Sequence, residues 1–319
     1  MDTTTTIQVI LTVLLSSVFG AFGLYILQRS RKDLKIAHNI AVIGFPKSGK
    51  TTLITSLFSE IMFNHILYIN STVRGEDTIN RINEDIEKLK IGGKLGATTD
   101  QDVFAYRFDV TNMGLLFKKT MKVQIGDFPG EDSEYFYDNF GPWLHKTPFF
   151  KWVMQADSFI FVIDTARVLL DYDGKYKAQM IKSIIAAWQH IVEYHIESET
   201  RTRRKNVSIV FTKSDLLLIK NDEDINTDYV EHLNSLGFGD KSKDVLTILN
   251  TKDLKTDSIK LEFRELRNYF VSQNVFSSFV FASHYVYVTT EAGRLGMKQI
   301  INDNLRIDTH KPLLETLFG

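Results

Sequence analysis

The sequence predicts an α/β protein: a mainly parallel sheet with one antiparallel edge strand, covered by helices on both faces and preceded by a single transmembrane helix. Short apolar runs rich in β-branched and aromatic residues alternate with longer helical stretches, which is the pattern of a parallel sheet. One pair of runs is joined by a short turn, which is typical of an antiparallel hairpin. An uncharged stretch of 21 residues near the N-terminus is long enough to cross a bilayer.

Composition excludes several classes of function. The 319 residues include no Cys, so disulfides, Cys-ligated metals and Cys nucleophiles are excluded. There are 38 Lys and Arg against 39 Asp and Glu, for a net charge of −1. This balance argues against a disordered chain and against nucleic acid as a partner held by bulk charge. The 8 His show no paired ligand spacing, so no transition-metal centre is expected.

Residues 1–35 predict a membrane anchor and a basic juxtamembrane segment. Ile7–Leu27 carries no charge, and a helix of this length spans roughly 30 Å of hydrocarbon. A cleaved signal peptide typically has a basic start and a small-x-small cleavage site. This chain instead begins Met-Asp-Thr, and Gln28 directly follows the apolar stretch. Basic residues follow the span and none precedes it: Arg29, Arg31, Lys32 and Lys35. The positive-inside rule therefore predicts a single-pass protein with its N-terminus outside and the remaining chain in the cytoplasm.

The lipid bilayer, reached through residues 7–27, is thus the first expected partner. Ser16, Gly20 and Gly23 form a stripe of small residues through which two such helices can pack. Spans with glycines that contact only lipid are more common, so a homodimer stays an open alternative.

Residues 36–319 are expected to form one expanded domain, since no linker, repeat or low-complexity tract divides them. Expected strands are Ile40–Ile43, Val103–Val110, Met121–Ile125, Phe159–Ile163, Ser208–Phe211 and Tyr285–Val288. Expected helices are Thr52–His65, Thr78–Leu89, Tyr176–His195 and Ile259–Val271. The antiparallel hairpin turns near residues 112–114, and the region around 216–258 is interpreted as an insertion.

The first expected strand leads into a phosphate-binding loop, Gly44-Phe-Pro-Lys-Ser-Gly49-Lys50-Thr51, with the pattern G-x4-G-K-T and an expected helix after it. Glycines let backbone N–H groups close around phosphate oxygens, and the helix N-terminus adds positive dipole. Lys50 supplies a charge for the phosphates and Thr51 a hydroxyl for Mg²⁺. The residues expected to contact nucleotide are Gly44, Lys47, Ser48, Gly49, Lys50, Thr51 and Thr52. A chance glycine-containing turn is the alternative.

A second motif follows the strand that ends at Gly126. It is Asp127-Phe-Pro-Gly130-Glu131. Asp127 can hold Mg²⁺ through water, and Gly130 can bring its N–H to the γ-phosphate without steric conflict. Taken alone, an ordinary turn explains this segment better.

A third motif, Thr212-Lys213-Ser214-Asp215, again follows a strand. The carboxylate of Asp215 can accept from the ring N–H and the exocyclic amino group of guanine together, whereas adenine offers no matching pair of donors. Lys213 can lay its methylene stem along the base. Taken alone, a polar cap on the following helix explains the tetrapeptide equally well.

The order of the three motifs, each directly after a strand, favours one nucleotide site. With this order the chain resembles the P-loop GTPases of the translation-factor-related class (TRAFAC), which includes Ras-like and Era-like proteins, over about residues 38–319. The Asp-x-Pro-Gly-Glu form and the large insertions resemble the bacterial double-GTPase-like branch. The resemblance implies a three-layer P-loop NTPase fold that binds GTP, GDP and Mg²⁺. It also implies hydrolysis of GTP, action as a molecular switch, and a protein effector or activator as partner.

The resemblance implies further residue roles. A Thr before the hairpin closes over Mg²⁺ and the γ-phosphate in such proteins, and Thr99 is the candidate here, with Thr98 as the alternative. Glu131 stands where many relatives carry a water-positioning Gln, so it is the candidate for orienting water, with slow unassisted hydrolysis. The last loop, behind the guanine, falls at Thr289 with Thr290 or at Ala282-Ser283.

Besides Glu131, two further departures from the family pattern are visible. Thr212 replaces the usual Asn but keeps a hydrogen-bonding group. Lys47 stands where potassium-dependent relatives place an Asn, so its ammonium would substitute for the monovalent ion; a solvated Lys is the alternative. The basic run from Arg201 to Lys205 is interpreted as a solvated turn, with attraction to anionic lipid as the minority interpretation.

Two other functions stay open on the sequence. One is a receptor or scaffold subunit that barely hydrolyses GTP, because a single N-terminal span before a GTPase domain resembles the signal-recognition-particle receptor beta subunit. The other is an ATP-dependent enzyme that shares only the phosphate loop.

Overall fold

The computed structural model describes residues 38–63, 69–91, 95, 104–113, 118–127, 148–171, 173–197, 205–218, 256–273 and 275–305. The strands are β1 (His38–Gly44), β2 (Ile69–Val73), β3 (Phe104–Met113), β4 (Lys118–Asp127), β5 (Ser158–Asp164), β6 (Asn206–Thr212) and β7 (Phe276–Phe281). The helices are α1 (Lys50–Phe63), α2 (Glu76–Lys90), α3 (Pro148–Gln155), α4 (Thr165–Leu169), α5 (Lys175–Glu197), α6 (Thr256–Glu262), α7 (Arg264–Ser272), α8 (His284–Thr289) and α9 (Glu291–Leu305). A short 3₁₀ helix covers Ser214–Leu218.

The strands form one seven-stranded sheet in the order β2-β3-β4-β1-β5-β6-β7. Strands β4, β1, β5, β6 and β7 pair in parallel along this order. Every residue of β5 and β6 is buried, as expected for central strands covered on both faces. The carboxyl ends of these five strands therefore lie along one edge of the sheet.

The antiparallel strand was predicted at the edge of the sheet, and this position is wrong. Strand β3 does pair antiparallel with β4, but it also pairs antiparallel with β2, which takes the edge. Among the described strands, only β3 therefore runs against the others. The sequence of β2 is Ile-Asn-Ser-Thr-Val, and so polar a run gives a weak strand signal.

Helices cover both faces of the sheet, each over its own apolar cluster. On one face α1, α2, α8 and α9 pack on the sheet, and the fully buried rings of Tyr106, Phe58 and Phe108 lie there. On the other face α3 to α7 pack around residues such as Trp188 and Phe270. The layers are helix, sheet and helix, as predicted for an α/β chain.

The predicted strand Tyr285–Val288 is wrong, because those residues belong to helix α8. The last described strand is instead β7, which ends four residues before Tyr285. A short apolar run does not by itself distinguish a helix from a strand. The predicted helix Ile259–Val271 is divided into α6 and α7 at the fully buried Phe263.

Within the described ranges, no helix combines the length and the hydropathy needed to cross a membrane. The predicted span Ile7–Leu27 lies outside those ranges, as does most of the predicted insertion around residues 216–258.

Candidate nucleotide-binding site

The phosphate loop connects the end of β1 to the start of α1. Gly49 has a φ of 87°, a conformation that L-residues with side chains rarely adopt. Lys47 has a φ of 60° and is exposed. The ammonium of Lys50 is buried and donates to the carbonyl oxygens of Gly44 at 2.9 Å and Phe45 at 3.1 Å. These bonds hold a cation inside the curve of the loop, beside the positive end of the α1 dipole.

Gly44 has a packing role in addition to its place in the motif. A Cβ at this position would lie 2.9 Å from Val162 Cβ on β5 and 2.9 Å from Ser48 Oγ. Both distances are shorter than real Cβ contacts, so only glycine lets the loop pass this close to the neighbouring strand.

Thr51 and Asp127 lie in contact at the carboxyl ends of the parallel strands. Asp127 is the last residue of β4 and is fully buried, and Thr51 Oγ1 donates to its Oδ2 at 3.1 Å. Parallel pairing of β1 with β4 brings them together. A hydroxyl and a carboxylate are ligands that Mg²⁺ accepts, and Mg²⁺ commonly takes its remaining ligands from substrate phosphates and water. These residues therefore fit a magnesium ion bound with a nucleotide. The part of the chain that the structure describes has no cluster of three or more His, Cys, Asp or Glu suited to a metal.

The end of β6 is bonded to the phosphate loop. Thr212 Oγ1 donates to the carbonyl oxygens of Ser48 at 2.6 Å and Ile163 at 3.2 Å. Lys213 Nζ donates to the carbonyl oxygen of Lys47 at 2.8 Å. The hydroxyl of Thr212, which replaces the usual Asn, thus bridges two elements of the site.

Asp164 is a site residue that the sequence prediction missed. It ends β5, is 1% exposed, and its Oδ2 accepts from Lys213 Nζ at 2.6 Å. Its Oδ1 accepts from Ala166 N and caps α4. Burial lowers the pKa of Lys213, and the charge and hydrogen bond of Asp164 oppose this shift. The available signal was an Asp-Thr pair directly after a buried strand, a typical helix start.

A cavity of about 150 Å³ opens beside the phosphate loop. It lies between the start of α1, the end of β6 and the segment joining β7 to α8. The residues around it are Gly49, Thr52, Leu53, Thr212, Lys213, Asp215, Ala282, Ser283, His284, Tyr285 and Met297. Phosphate-loop residues and the residues of the third motif thus line one cavity.

Asp215 is the acidic residue of this cavity. It is 6% exposed, and burial raises the pKa of its carboxyl group, while a hydrogen bond with the side chain of Ser283 opposes that shift. Its Oδ1 accepts no hydrogen bond from any residue that the structure describes. A buried carboxylate oxygen without a donor is costly unless a ligand supplies one. The cavity therefore fits a ligand that donates hydrogen bonds, as guanine does.

Of the two predicted positions for the last loop, the second, Ala282-Ser283, contributes both of its residues to the lining of the cavity. The choice of Thr289 is corrected. Because Tyr285–Val288 is helical, Thr289 falls at the end of α8, where it is exposed and its Oγ1 donates to the Tyr285 carbonyl oxygen.

The segment at Ser283 is also held to α1. The first residue of α8, His284, bonds through Nδ1 to Ser56 Oγ of α1 at 2.9 Å. This contact fixes the wall of the cavity relative to the helix that follows the phosphate loop.

Several predicted site residues lie outside the described ranges: Thr98, Thr99, Gly130, Glu131 and the basic run from Arg201 to Arg204. Their roles stay predictions.

The fold and the site define a class. A mainly parallel sheet, a phosphate loop between β1 and α1, a Thr–Asp pair suited to Mg²⁺ and a cavity with a buried carboxylate are the features of a P-loop GTPase. The chain belongs to the Double-GTPase 2 family, whose sequence profile matches residues 38–257. The family implies that it binds guanine nucleotides. No curated protein shows significant similarity to the sequence.

Two of the solved structures that are similar to this chain illustrate the likeness. The Arl6 BBS3 small GTPase from Trypanosoma brucei, with a bound nucleotide analogue, is 11% identical with a TM-score of 0.39, and the match covers 85% of this chain and 99% of that one. The signal recognition particle receptor SRb-GTP/SRX complex from Chaetomium thermophilum is 14% identical with a TM-score of 0.34, and the match covers 77% of this chain and 93% of that one. The family assignment does not depend on either likeness.

Proposed function

We propose that this protein is a membrane-anchored GTPase that hydrolyses GTP to GDP and acts as a molecular switch for a partner protein. The observation that carries the proposal is the cavity beside the phosphate loop, in which the buried Oδ1 of Asp215 has no donor among the described residues. A guanine nucleotide would supply what both parts of the site require, at Asp215 and at the phosphate loop. Its base supplies the missing donors, and its phosphates meet the loop amides and Lys50.

Each residue then has a chemical task. The ammonium of Lys50 stabilises negative charge on the transferred phosphoryl group. Thr51 and Asp127 would hold Mg²⁺, which neutralises charge on the phosphates when it is bound. Glu131 orients the attacking water, and its negative charge beside a polyanion makes unassisted hydrolysis slow.

Switching follows from the segments that contact the γ-phosphate. GTP and Mg²⁺ would order the residues around Thr98, Thr99 and Gly130, and a partner would bind that ordered surface until hydrolysis releases it. The helix predicted at residues 7–27 would keep the domain at the cytoplasmic face of a membrane. Membership of the bacterial branch of the double-GTPase-like proteins is part of the same proposal.

Single-turnover hydrolysis by the purified full-length chain tests the enzymatic part. We expect slow, Mg²⁺-dependent release of phosphate from GTP, a much slower reaction with ATP, and loss of phosphate release in Lys50→Ala. Lys182→Ala, which changes an exposed lysine on α5, is the matched control and should behave as the parent. If GTP binds tightly but is not hydrolysed even with cell membranes added, the receptor or scaffold alternative replaces the enzyme. Equal hydrolysis of ATP and GTP would contradict the proposal.

A further inference from the structure

Two consecutive carbonyl groups of the phosphate loop accept hydrogen bonds from two consecutive side chains, those of Thr212 at the end of β6 and of Lys213 directly after it. Lys47 O accepts from Lys213 Nζ at 2.8 Å, and Ser48 O accepts from Thr212 Oγ1 at 2.6 Å. Both donor residues lie at or directly after the end of β6, and Asp215 follows Lys213 two residues later. The halves of the site that would meet phosphate and base are thus joined directly.

Of these two contacts, the one made by Lys213 has the larger energetic cost. The side chain is 16% exposed, so its ammonium is largely removed from water. The backbone of Lys213 has a φ of 55°, which costs energy for a residue with a Cβ. Such a position persists only when its surroundings hold it in place.

Asp164 supplies the compensating charge. Its carboxylate is 1% exposed and lies 2.6 Å from the ammonium of Lys213. It comes from β5, the strand between β1 and β6, and is fixed in direction because its other oxygen caps α4. A buried cation whose counterion is removed either moves to water or stays at high cost.

We propose that Asp164 is a positioning residue for nucleotide binding: its carboxylate holds the Lys213 ammonium against the Lys47 carbonyl group and so fastens the phosphate loop to the base cavity. This inference rests on the proposed function, because it assumes that one guanine nucleotide spans both parts of the site. Asp164 acts through Lys213 and need not contact the nucleotide.

The loss of this carboxylate should therefore lower the affinity for guanine nucleotide. Without it the Lys213 side chain is no longer held, and the nucleotide has to order both loops when it binds. Asp164→Asn is the suitable change because Asn is as good a helix cap as Asp, so α4 keeps its cap while the charge is lost.

The test is GDP affinity of the full-length chain, measured by fluorescence with a labelled GDP. We expect Asp164→Asn to weaken GDP binding roughly 30-fold or more. Asp157→Asn is the matched control. Asp157 precedes β5 at its opposite end and accepts a hydrogen bond from Asn39 N, so its variant should bind GDP as the parent does. If Asp164→Asn does not fold, Asp164→Ser also keeps a capping side chain without the charge.

A double-mutant cycle separates positioning from a general loss of stability. If Asp164 acts through Lys213, Asp164→Asn should weaken GDP binding little further in a Lys213→Met background. Independent, additive effects of the two changes would overturn the inference, as would an Asp164→Asn variant that binds GDP within about threefold of the parent. Failure of the parent chain to bind GDP would instead overturn the proposed function itself.

Discussion

Gly49 shows at the scale of one residue how backbone conformation and chemistry are linked in this site. Its φ of 87° requires glycine, but the space around it does not, since an added Cβ would lie 3.6 Å from Thr212 Cβ, an ordinary contact. Gly174 is a natural comparison. It has a φ of 68°, and an added Cβ there would have no atom of the described residues within 4 Å.

We therefore predict that Gly49→Ala and Gly174→Ala lower the free energy of unfolding by similar amounts, about 1–2 kcal/mol, because each forces a Cβ into a left-handed conformation. Only Gly49→Ala should weaken nucleotide binding, since only Gly49 belongs to the phosphate loop. Urea unfolding and GDP binding measured on both variants check this. A Gly49→Ala variant with unchanged GDP affinity would show that the loop conformation is not needed for binding.

Asp215 gives a prediction about pH. Guanine would donate to the ionised carboxylate, and burial raises the pKa of this group above the ordinary value of about 3.9. Affinity for GDP should therefore fall as the pH is lowered through that raised pKa, at a higher pH than an ordinary Asp would require.

The measurement is GDP affinity from pH 7.5 downwards. Asp215→Asn is the control, because it binds the same ligand with the same phosphate ionisation but lacks the carboxyl group. Its binding should be weaker and less dependent on pH. Identical pH profiles for parent and variant would show that Asp215 does not titrate in the binding reaction.

At the scale of elements, the site depends on strand ends that parallel pairing brings to one edge. This part of the prediction from sequence succeeded where strands were apolar and unmistakable: β1, β5 and β6 match the predicted runs closely. Residues that follow such strands, including Lys50 and Asp215, could therefore be assigned to one site from the order of motifs and strands alone.

The errors at this scale have physical causes. Strand β2 is polar and lies at the edge, where it pairs with one neighbour only, so its sequence carries little hydrophobic pattern. The run Tyr285–Val288 is as apolar as a strand, but it forms a helix whose Tyr287 packs in the apolar cluster with α1, and an apolar run this short does not distinguish the two. Asp164 was missed because its role arises from Lys213, 49 residues away in sequence.

The contact between Thr51 of α1 and Asp127 of β4 gives a prediction at the scale of elements. Thr51→Ala removes a hydroxyl that bonds Asp127, so we expect it to raise the Mg²⁺ concentration needed for tight GDP binding roughly tenfold or more. Thr51→Ser keeps the hydroxyl and should behave as the parent. Magnesium titrations of GDP binding check this, and an unchanged requirement in Thr51→Ala would remove Thr51 from the metal site.

At the scale of the whole molecule, the site lies in a crevice at the carboxyl ends of parallel strands, as ligand sites in open α/β sheets do. The family match ends at residue 257, yet the cavity is completed by Ser283 and by Met297 of α9. Elements beyond the matched region therefore belong to the same functional unit, since α9 packs in the apolar cluster that also contains α1.

The predicted membrane anchor is tested on the whole chain. We expect the full-length protein to remain with membranes after alkaline carbonate extraction, because the uncharged stretch of residues 7–27 would be buried in lipid. A chain of residues 36–319 should appear in the supernatant and still bind GDP. Release of the full-length protein by carbonate would contradict the anchor without affecting the nucleotide site.

The most direct test of the central claim, that one guanine nucleotide spans the phosphate loop and Asp215, is competition between diphosphates for the purified chain. We predict that GDP binds at least about 100-fold more tightly than ADP, because adenine leaves the buried Oδ1 of Asp215 without a donor. Asp215→Asn should shift the preference toward xanthosine diphosphate, whose C2 carbonyl group accepts from the Asn amide. Equal binding of GDP and ADP, or an Asp215→Asn variant that keeps the parent's preference for GDP, would contradict the account.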